Sequence, residues 1–230
     1  MFIKRIKTTV SFSFKVVHNS IKLISGIWKL SKLSRPTVAI FGSARLNNGN
    51  KYLEQAELIS KELVKKGFTI ISGGNSGIME AAAKGATEAA TNKKLVTMGV
   101  GVYPMENAEP SPYIQPNKYV KKNAILMPTL FSRKILLTRF SDAFVVFPGG
   151  FGTMDELFEM LQLIQTKRIK RTPIVLMGSD YWNPLVQRLK EIFLAGKFIK
   201  KEDVYITSIT DDIDKAIKIK QICDDLQIEF

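Results

Sequence analysis

Residues 143–156 read AFVVFPGGFGTMDE, and this stretch decides the fold class. The first five residues are all apolar, which is typical of a strand covered on both faces of a parallel sheet. The glycine-rich turn PGGFG follows at residues 148–152, and it opens a helical pattern that runs to about Thr166. A buried strand, a tight turn and a helix in immediate succession predict an α/β unit.

The same succession occurs twice upstream. Thr37–Phe41 is a short apolar run before Gly42, and a helical pattern follows from residue 51 to residue 66. Residues 68–71 form the next apolar run, which leads into SGGNSG at 72–77 and an alanine-rich helix ending near Ala90. Further strands are predicted at 96–100, 124–127 and 173–177, a short extended piece at 204–206, and helices at 130–140, 183–195 and 211–226.

These elements predict a Rossmann-like α/β fold with a doubly wound parallel sheet. We expect one nucleotide-binding catalytic domain over residues 36–230 and a helical extension over residues 1–35, because 230 residues are too few for two ordinary domains. Residues 103–119 contain four prolines and little periodicity, which predicts a long loop of functional interest.

The sparse cysteine and histidine content excludes two classes of site. Cys223 is the single cysteine and His18 the single histidine, so an internal disulfide and a zinc cluster are both ruled out. We expect no metal and no cofactor.

The net charge of +13 is concentrated in the N-terminal extension, because the first acidic residue of the chain is Glu54. The cations before Pro36 are Lys4, Arg5, Lys7, Lys15, Lys22, Lys29, Lys32 and Arg35. Apolar residues at helical spacing lie between them, and such a basic amphipathic helix lies on an anionic membrane, packs against a partner subunit or covers the domain. Nucleic acid is the less favoured partner, because the extension is densely apolar. We expect a cytoplasmic protein, with peripheral membrane contact through residues 1–35 as the alternative.

Two glycine-rich turns are candidate phosphate sites. Each follows a predicted strand and precedes a helix, where backbone N–H groups and the helix dipole favour an anion. The candidate residues are Gly73, Gly74 and Gly77 in the first turn, and Gly149, Gly150, Gly152 and Thr153 in the second. Neither turn matches the dinucleotide fingerprint or the P-loop, so the sequence does not support NAD or ATP binding.

Charged residues near these turns complete the candidate site. Glu156 and Glu80 lie early in the two helices, and we expect both to face the crevice, whereas Asp155 is expected to interact with the helix dipole in the first turn. Arg133 lies on an otherwise apolar helix, and its guanidinium suits bidentate binding of phosphate or carboxylate.

The motifs FGSAR at 41–45, GGNSGIMEAA at 73–82, RK at 133–134 and PGGFGTMDE at 148–156 resemble those of the Lonely Guy family. The similarity extends over about residues 38–185. Members are phosphoribohydrolases that release a free base and ribose 5-phosphate from nucleoside 5′-monophosphates, including cytokinin precursors. Older labels for such sequences say "possible lysine decarboxylase", but no PLP-lysine context supports that activity here.

The resemblance implies a role for each matching residue. Arg133 and Glu156 would be catalytic, and the second glycine turn with Thr153 would hold the 5′-phosphate. Ser43 and Glu80 would contribute to the nucleotide pocket, and Lys134 would join the substrate-binding set. Members are typically homodimers with the site near the subunit interface. Asn75 stands where many relatives have a third glycine, and this departure could alter the pocket.

The sequence therefore predicts a hydrolase that cleaves the N-glycosidic bond of a nucleoside 5′-monophosphate such as AMP or a cytokinin riboside monophosphate. The alternative is a non-catalytic nucleotide-binding module, associated with a membrane through the extension. A binder needs no carboxylate beside a sugar phosphate, so Glu156 together with Arg133 favours the enzyme.

Overall fold

The computed structural model of the protein describes residues 2–91, 95–104 and 115–218, with side chains from residue 12 onward. Its strands are β1 (Thr37–Phe41), β2 (Thr69–Ser72), β3 (Thr97–Val102), β4 (Ile125–Met127), β5 (Ala143–Val146), β6 (Ile174–Met177) and β7 (Thr207–Thr210). All seven pair in parallel, in the order β4-β3-β2-β1-β5-β6-β7. The predicted Rossmann-like parallel sheet is confirmed.

Helices cover both faces of this sheet. They are α1 (Phe2–Leu30), α2 (Lys51–Lys65), α3 (Ile78–Ala89), α4 (Leu130–Arg139), α5 (Phe151–Gln165), α6 (Ser179–Ala195) and α7 (Ile213–Ile217). Val38 and Ile40 of β1 pack in one apolar cluster with α2, α3 and α7, whereas Ala39 and Phe41 pack in the other with α1, α4, α5 and α6. Burial on both faces explains why the strands are apolar throughout rather than alternating.

The order of the strands in the sheet indicates where a ligand would bind. Strand order reverses at β1, whose neighbours are β2 and β5. In an open α/β sheet, ligands bind at the carboxyl ends of the strands next to such a reversal. The turns that follow β1, β2 and β5 all meet at this edge, and they contain Ser43 and both glycine-rich motifs.

Two sequence predictions of local structure need correction. The extended piece predicted at 204–206 is wrong, because residues Lys201–Tyr205 form a 3₁₀ helix and the strand begins at Thr207. The Asp203 carboxylate accepts the backbone N–H of Lys200 at 2.9 Å, which stabilises the start of that helix. The helix predicted at 183–195 begins earlier, at Ser179, where Asp211 accepts the backbone N–H.

Some predictions concern residues beyond the described ranges. The helix predicted at 211–226 is shorter in the described residues, because it begins at Ile213 and ends at Ile217 with Lys218 as its C-cap residue. Residues 219–226, which include Cys223, lie outside the description. Of the predicted loop at 103–119, residues 105–114 also lie outside it. Within the described part of the chain, no helix has the length and apolar character needed to cross a bilayer.

Candidate active site

Arg133 and Glu156 form a direct ion pair at the carboxyl edge of the sheet. Arg133 is on α4 and Glu156 on α5, and Arg133 Nη1 lies 2.8 Å from Glu156 Oε1. The two side chains are only 13 % and 10 % exposed. Arg133 Nε also donates to the carbonyl oxygen of Val100 on β3 at 2.9 Å, so the guanidinium is held from two sides.

Burial dominates the electrostatics of Glu156. Loss of hydration raises the pKa of its carboxyl group, and the nearby Arg133 cation offsets this rise only in part. The pKa of Glu156 therefore lies above the ordinary value for a glutamate. Active-site carboxylates are commonly perturbed in this way, because a group that exchanges protons works best with a pKa closer to the operating pH.

The turn after β2 lies directly against the arginine. A Cβ added at Gly73 would overlap Arg133 Nη2, and would lie 2.7 Å from Met79 Sδ. Only glycine therefore leaves space for the guanidinium in its observed position. The helix that follows, α3, has Gly77 as its N-cap residue and no side-chain cap, and a helix start of this kind suits an anion.

Substitution of Gly73 by alanine tests this close approach. Both atoms that the new methyl group would meet belong to ends of flexible side chains, so we expect the fold to adapt with little change in melting temperature. Activity should nevertheless fall by about tenfold or more, because the methyl group would displace Arg133, which the sequence predicts to be catalytic, and small displacements of catalytic groups are costly. Steady-state kinetics with AMP and thermal unfolding would measure both effects. Wild-type turnover in Gly73→Ala would show that the position of the guanidinium is unimportant.

The turn after β5 is built around Gly149 and Thr153. A Cβ at Gly149 would overlap the hydroxyl group of Thr153, which is buried under the turn. The carbonyl oxygen of Gly149 accepts a hydrogen bond from the Tyr181 hydroxyl at 2.6 Å. Helix α5 has Gly150 as its N-cap residue and no side-chain cap, so this second helix terminus also suits a phosphate.

Ser43 joins these turns through its backbone. Its N–H donates to the carbonyl oxygen of Pro148 at 3.0 Å, and its carbonyl oxygen accepts the N–H of Ile78 at 3.1 Å. The segment after β1 is thus fixed to the turn after β5 and to the start of α3. Ser43 accordingly lies between the two candidate phosphate sites.

Lys134 and Asp155 have structural partners. Lys134 Nζ lies 3.1 Å from Asp155 and 3.2 Å from Glu159, which fixes α4 against α5. Burial lowers the pKa of Lys134, but hydrogen bonds to these two carboxylates outweigh it and the net pKa is raised. The expectation that Asp155 lies in the first turn is wrong, because α5 begins at Phe151 and its first turn contains no acid.

Glu80 lies apart from the ion pair. It is in the first turn of α3, as expected, and it lines a polar groove with Ser76, Lys84 and Tyr119. Among the described side chains, no hydrogen bond or ion pair joins Glu80 to Arg133 or Glu156. The structure therefore brings together Arg133, Glu156, Gly73 and the β5 turn, and it leaves Glu80 in a neighbouring groove.

Sequence reasoning missed Asn117 and Tyr181. The buried Asn117 side chain donates to the carbonyl oxygens of Gly74 and Asn75, both at 2.9 Å, and its backbone N–H donates to Gly74 at 2.7 Å. It therefore fixes the β2 turn from the loop side. The only available signal was the unusual length of that loop, which did not single out a residue.

Fold and site together define a Rossmann-like protein with two anion-suited glycine turns and a buried arginine–glutamate pair between them. Residues 79–219 match the family model described as "possible lysine decarboxylase". The chain belongs to this family, the Lonely Guy family. A second model, DNA recombination-mediator protein A, matches residues 10–141. Only the first match spans both Arg133 and Glu156.

The chain is also similar in sequence to individual enzymes of this family. The chain is 26 % identical to the cytokinin riboside 5′-monophosphate phosphoribohydrolase of Rhodococcoides fascians, over 82 % of this chain and 92 % of the relative. It is also 26 % identical to the pyrimidine/purine nucleotide 5′-monophosphate nucleosidase of Escherichia coli, over 79 % of this chain but 42 % of that protein.

Solved structures support the fold alone. The molybdenum cofactor carrier protein of Chlamydomonas reinhardtii superposes with a TM-score of 0.60 at 21 % identity, over 83 % of this chain and 99 % of that one. DNA processing protein A of Helicobacter pylori gives a TM-score of 0.51 at 18 % identity, over 85 % and 83 % of the two chains. Proteins with such different names share this architecture, so function must be argued from the site.

Proposed function

We propose that the protein hydrolyses the N-glycosidic bond of nucleoside 5′-monophosphates and releases the free base and ribose 5-phosphate. The observation that carries this proposal is the buried ion pair of Arg133 and Glu156, which lies beside two anion-suited turns. The names of the family relatives from R. fascians and E. coli support the same reaction class. AMP and a cytokinin riboside monophosphate are the proposed substrates.

The 5′-phosphate would bind at the uncapped start of α5. Gly149, Gly150 and Gly152 present backbone there without side chains, and the Thr153 hydroxyl lies at the same turn. Binding energy from the phosphate would hold the ribose with its anomeric carbon toward Glu156. Gly73, Gly74, Ser43 and Glu80 would contact the rest of the nucleotide, and Lys134 would support this arrangement by fixing α4 against α5.

Glu156 would act on the ribose during bond cleavage. As the C1′–N bond breaks, its electron pair leaves with the base and positive charge develops on the ribose ring. A carboxylate in a poorly hydrated site stabilises that charge strongly. The same carboxylate would take a proton from the water molecule whose oxygen bonds to C1′, and the departing base would take up one proton from solvent, so that the products are ribose 5-phosphate and the neutral free base. The raised pKa of Glu156 makes it a better proton acceptor than an ordinary glutamate.

Arg133 would have two functions in this reaction. Its contact with Glu156 and its bond to Val100 orient the carboxylate, and Nη2 faces the Gly73 turn, where it can bind the nucleotide. A guanidinium is well suited to both, because its five donors diverge in one plane.

We further propose that the protein is a cytoplasmic homodimer with the site near the subunit interface. Large apolar side chains are exposed at the helix starts next to the ion pair, with Phe131 66 % and Phe151 96 % exposed. Exposed aromatic residues beside a binding site are typical of a surface that a second subunit covers.

A substrate panel tests the proposed reaction. Purified protein would be incubated with AMP, GMP, CMP, UMP and isopentenyl-AMP, and with adenosine as the matched control without phosphate. We expect chromatography to show release of free base from at least one monophosphate and none from adenosine, because the phosphate positions the ribose. Tight binding of AMP without any base release would instead favour the non-catalytic alternative.

A further inference from the structure

Helix α1 has an apolar face that the described part of the protein leaves uncovered. Phe14, Val17, Ile21, Ile24 and Trp28 are each more than half exposed. Their spacing of three and four residues places them on one side of the helix. Exposure of five large apolar side chains in one row is unusual for a surface that faces only water.

The opposite face of α1 packs on the domain. Leu30 is 2 % exposed, and a Cβ added at Gly26 would lie 2.6 Å from Leu136 on α4, so Gly26 allows the two helices to approach closely. Ile24 and Trp28 are each two positions from Gly26, which is about 200° around the helix. The uncovered face therefore points directly away from the domain.

Part of α1 also extends past the domain surface. Asn19 accepts a hydrogen bond from Thr129, the residue before α4, at 3.5 Å. Every side chain from residue 12 to residue 18 is exposed. A helix with this much apolar surface and so few contacts requires another surface to cover it, because tertiary packing normally stabilises helices in proteins.

The charges on α1 indicate what kind of surface covers its apolar face. No acidic residue precedes Glu54, while Lys15 and Lys29 are exposed on α1 and Lys32 stacks over the Trp28 ring at 3.2 Å. Two copies of α1 would bring like charges together without any carboxylate to pair with them. Nucleic acid would neutralise the cations but would leave the valine and isoleucine side chains uncovered.

We propose that α1 docks the protein on an anionic lipid surface. The apolar row enters the interface between headgroups and acyl chains, and the long lysine side chains reach the anionic headgroups. Because the packed and uncovered faces of α1 are opposite, the domain lies on the far side of the helix from the membrane. This proposal does not depend on the catalytic activity.

Vesicle co-sedimentation of the full-length protein tests the docking. We expect about tenfold or greater preference for phosphatidylcholine vesicles that contain phosphatidylserine over phosphatidylcholine alone, decreasing with salt. Ile24→Glu should lose this binding, because it places a charge in the apolar row. Leu58→Glu, at a 43 % exposed position on α2, is the matched control and should bind like the wild type. Equal sedimentation of Ile24→Glu and the wild type would overturn the proposal.

Tryptophan fluorescence provides an independent readout. The chain has two tryptophans, of which Trp28 is 61 % exposed and Trp182 fully buried. Anionic vesicles should shift the emission to shorter wavelength in the wild type, and Trp28→Phe should abolish the shift. An unchanged spectrum with vesicles would contradict the docking.

Two further results would assign α1 to another partner. Light scattering without lipid should give the same mass for the wild type and Ile24→Glu, and a smaller mass for the variant would show that the row binds a second copy. Tighter binding to a single-stranded oligonucleotide than to anionic vesicles at equal salt would show a nucleic-acid partner. Either result would overturn the proposal.

Discussion

Glu156→Gln should reduce kcat for AMP hydrolysis by about 10³-fold, within the range associated with loss of a general acid or base. Glutamine keeps the size of the side chain and can still contact Arg133, but it cannot carry negative charge beside the developing ribosyl cation. Base release measured by chromatography would quantify the loss. Glu191→Gln, an exposed position on α6, is the control and should retain full activity. Turnover near the wild-type value in Glu156→Gln would remove Glu156 from the mechanism.

The same substitution should change how the stability of the fold depends on pH. Because the folded-state pKa of Glu156 is raised, its contribution to stability is fully present below the unfolded-state pKa and is lost as pH rises through the folded-state pKa. A neutral glutamine avoids that loss. Melting temperatures across acidic to neutral pH should therefore diverge, with Glu156→Gln gaining on the wild type as pH rises. A variant that becomes relatively less stable with rising pH would show that the Arg133 attraction exceeds the cost of burial.

Arg133→Ala should reduce kcat/KM for AMP by about 10²-fold or more, because it removes the group that, in the proposed mechanism, orients the Glu156 carboxylate and faces the nucleotide. It should also destabilise the fold by about 3 kcal/mol, because the buried Glu156 loses its charge partner. Kinetics and chemical denaturation measure the two losses. Arg139→Ala, an exposed position at the end of the same helix, is the matched control.

Arg133→Lys separates charge from geometry. Lysine retains the positive charge, but one ammonium group cannot reach Val100, Glu156 and the Gly73 turn together. We therefore expect stability to recover in part while activity stays low. Full recovery of kcat/KM in Arg133→Lys would mean that only the charge matters.

The fold could be predicted largely from local patterns. Apolar runs such as Ala143–Val146 indicated strands covered on both faces, and the two glycine-rich turns indicated where α3 and α5 begin. The 3₁₀ helix Lys201–Tyr205 escaped this reasoning, since Val204 and Tyr205 are strand-favouring residues. The Asp203 carboxylate accepts the N–H of Lys200 at the start of that helix, and residue periodicity carries no information about such a bond.

The sequence predicts which residues belong to the candidate site but not which of them touch one another. Arg133 and Glu156 stood out as charges among apolar residues and beside glycines, yet they are 23 positions apart and no local pattern indicates that they touch. Lys134 and its neighbour Arg133 have different ion-pair partners, because successive residues of a helix point in different directions. Lys134 therefore contacts Asp155 and Glu159. Asn117 and Tyr181 act on backbone carbonyls across the fold, and only tertiary structure reveals that.

Ser43 is held in place by its backbone, so its side chain could change during evolution without disturbing the turns around it. Both long-range backbone bonds at this position use main-chain atoms, and its hydroxyl oxygen accepts the N–H of Arg45, two residues away. A substitution of the side chain would therefore keep the backbone hydrogen bonds that link the segment after β1 to the turn after β5 and to the start of α3. Substitutions at position 43 would therefore change the side chain that the proposed nucleotide pocket presents there, while the geometry of the neighbouring turns would be kept.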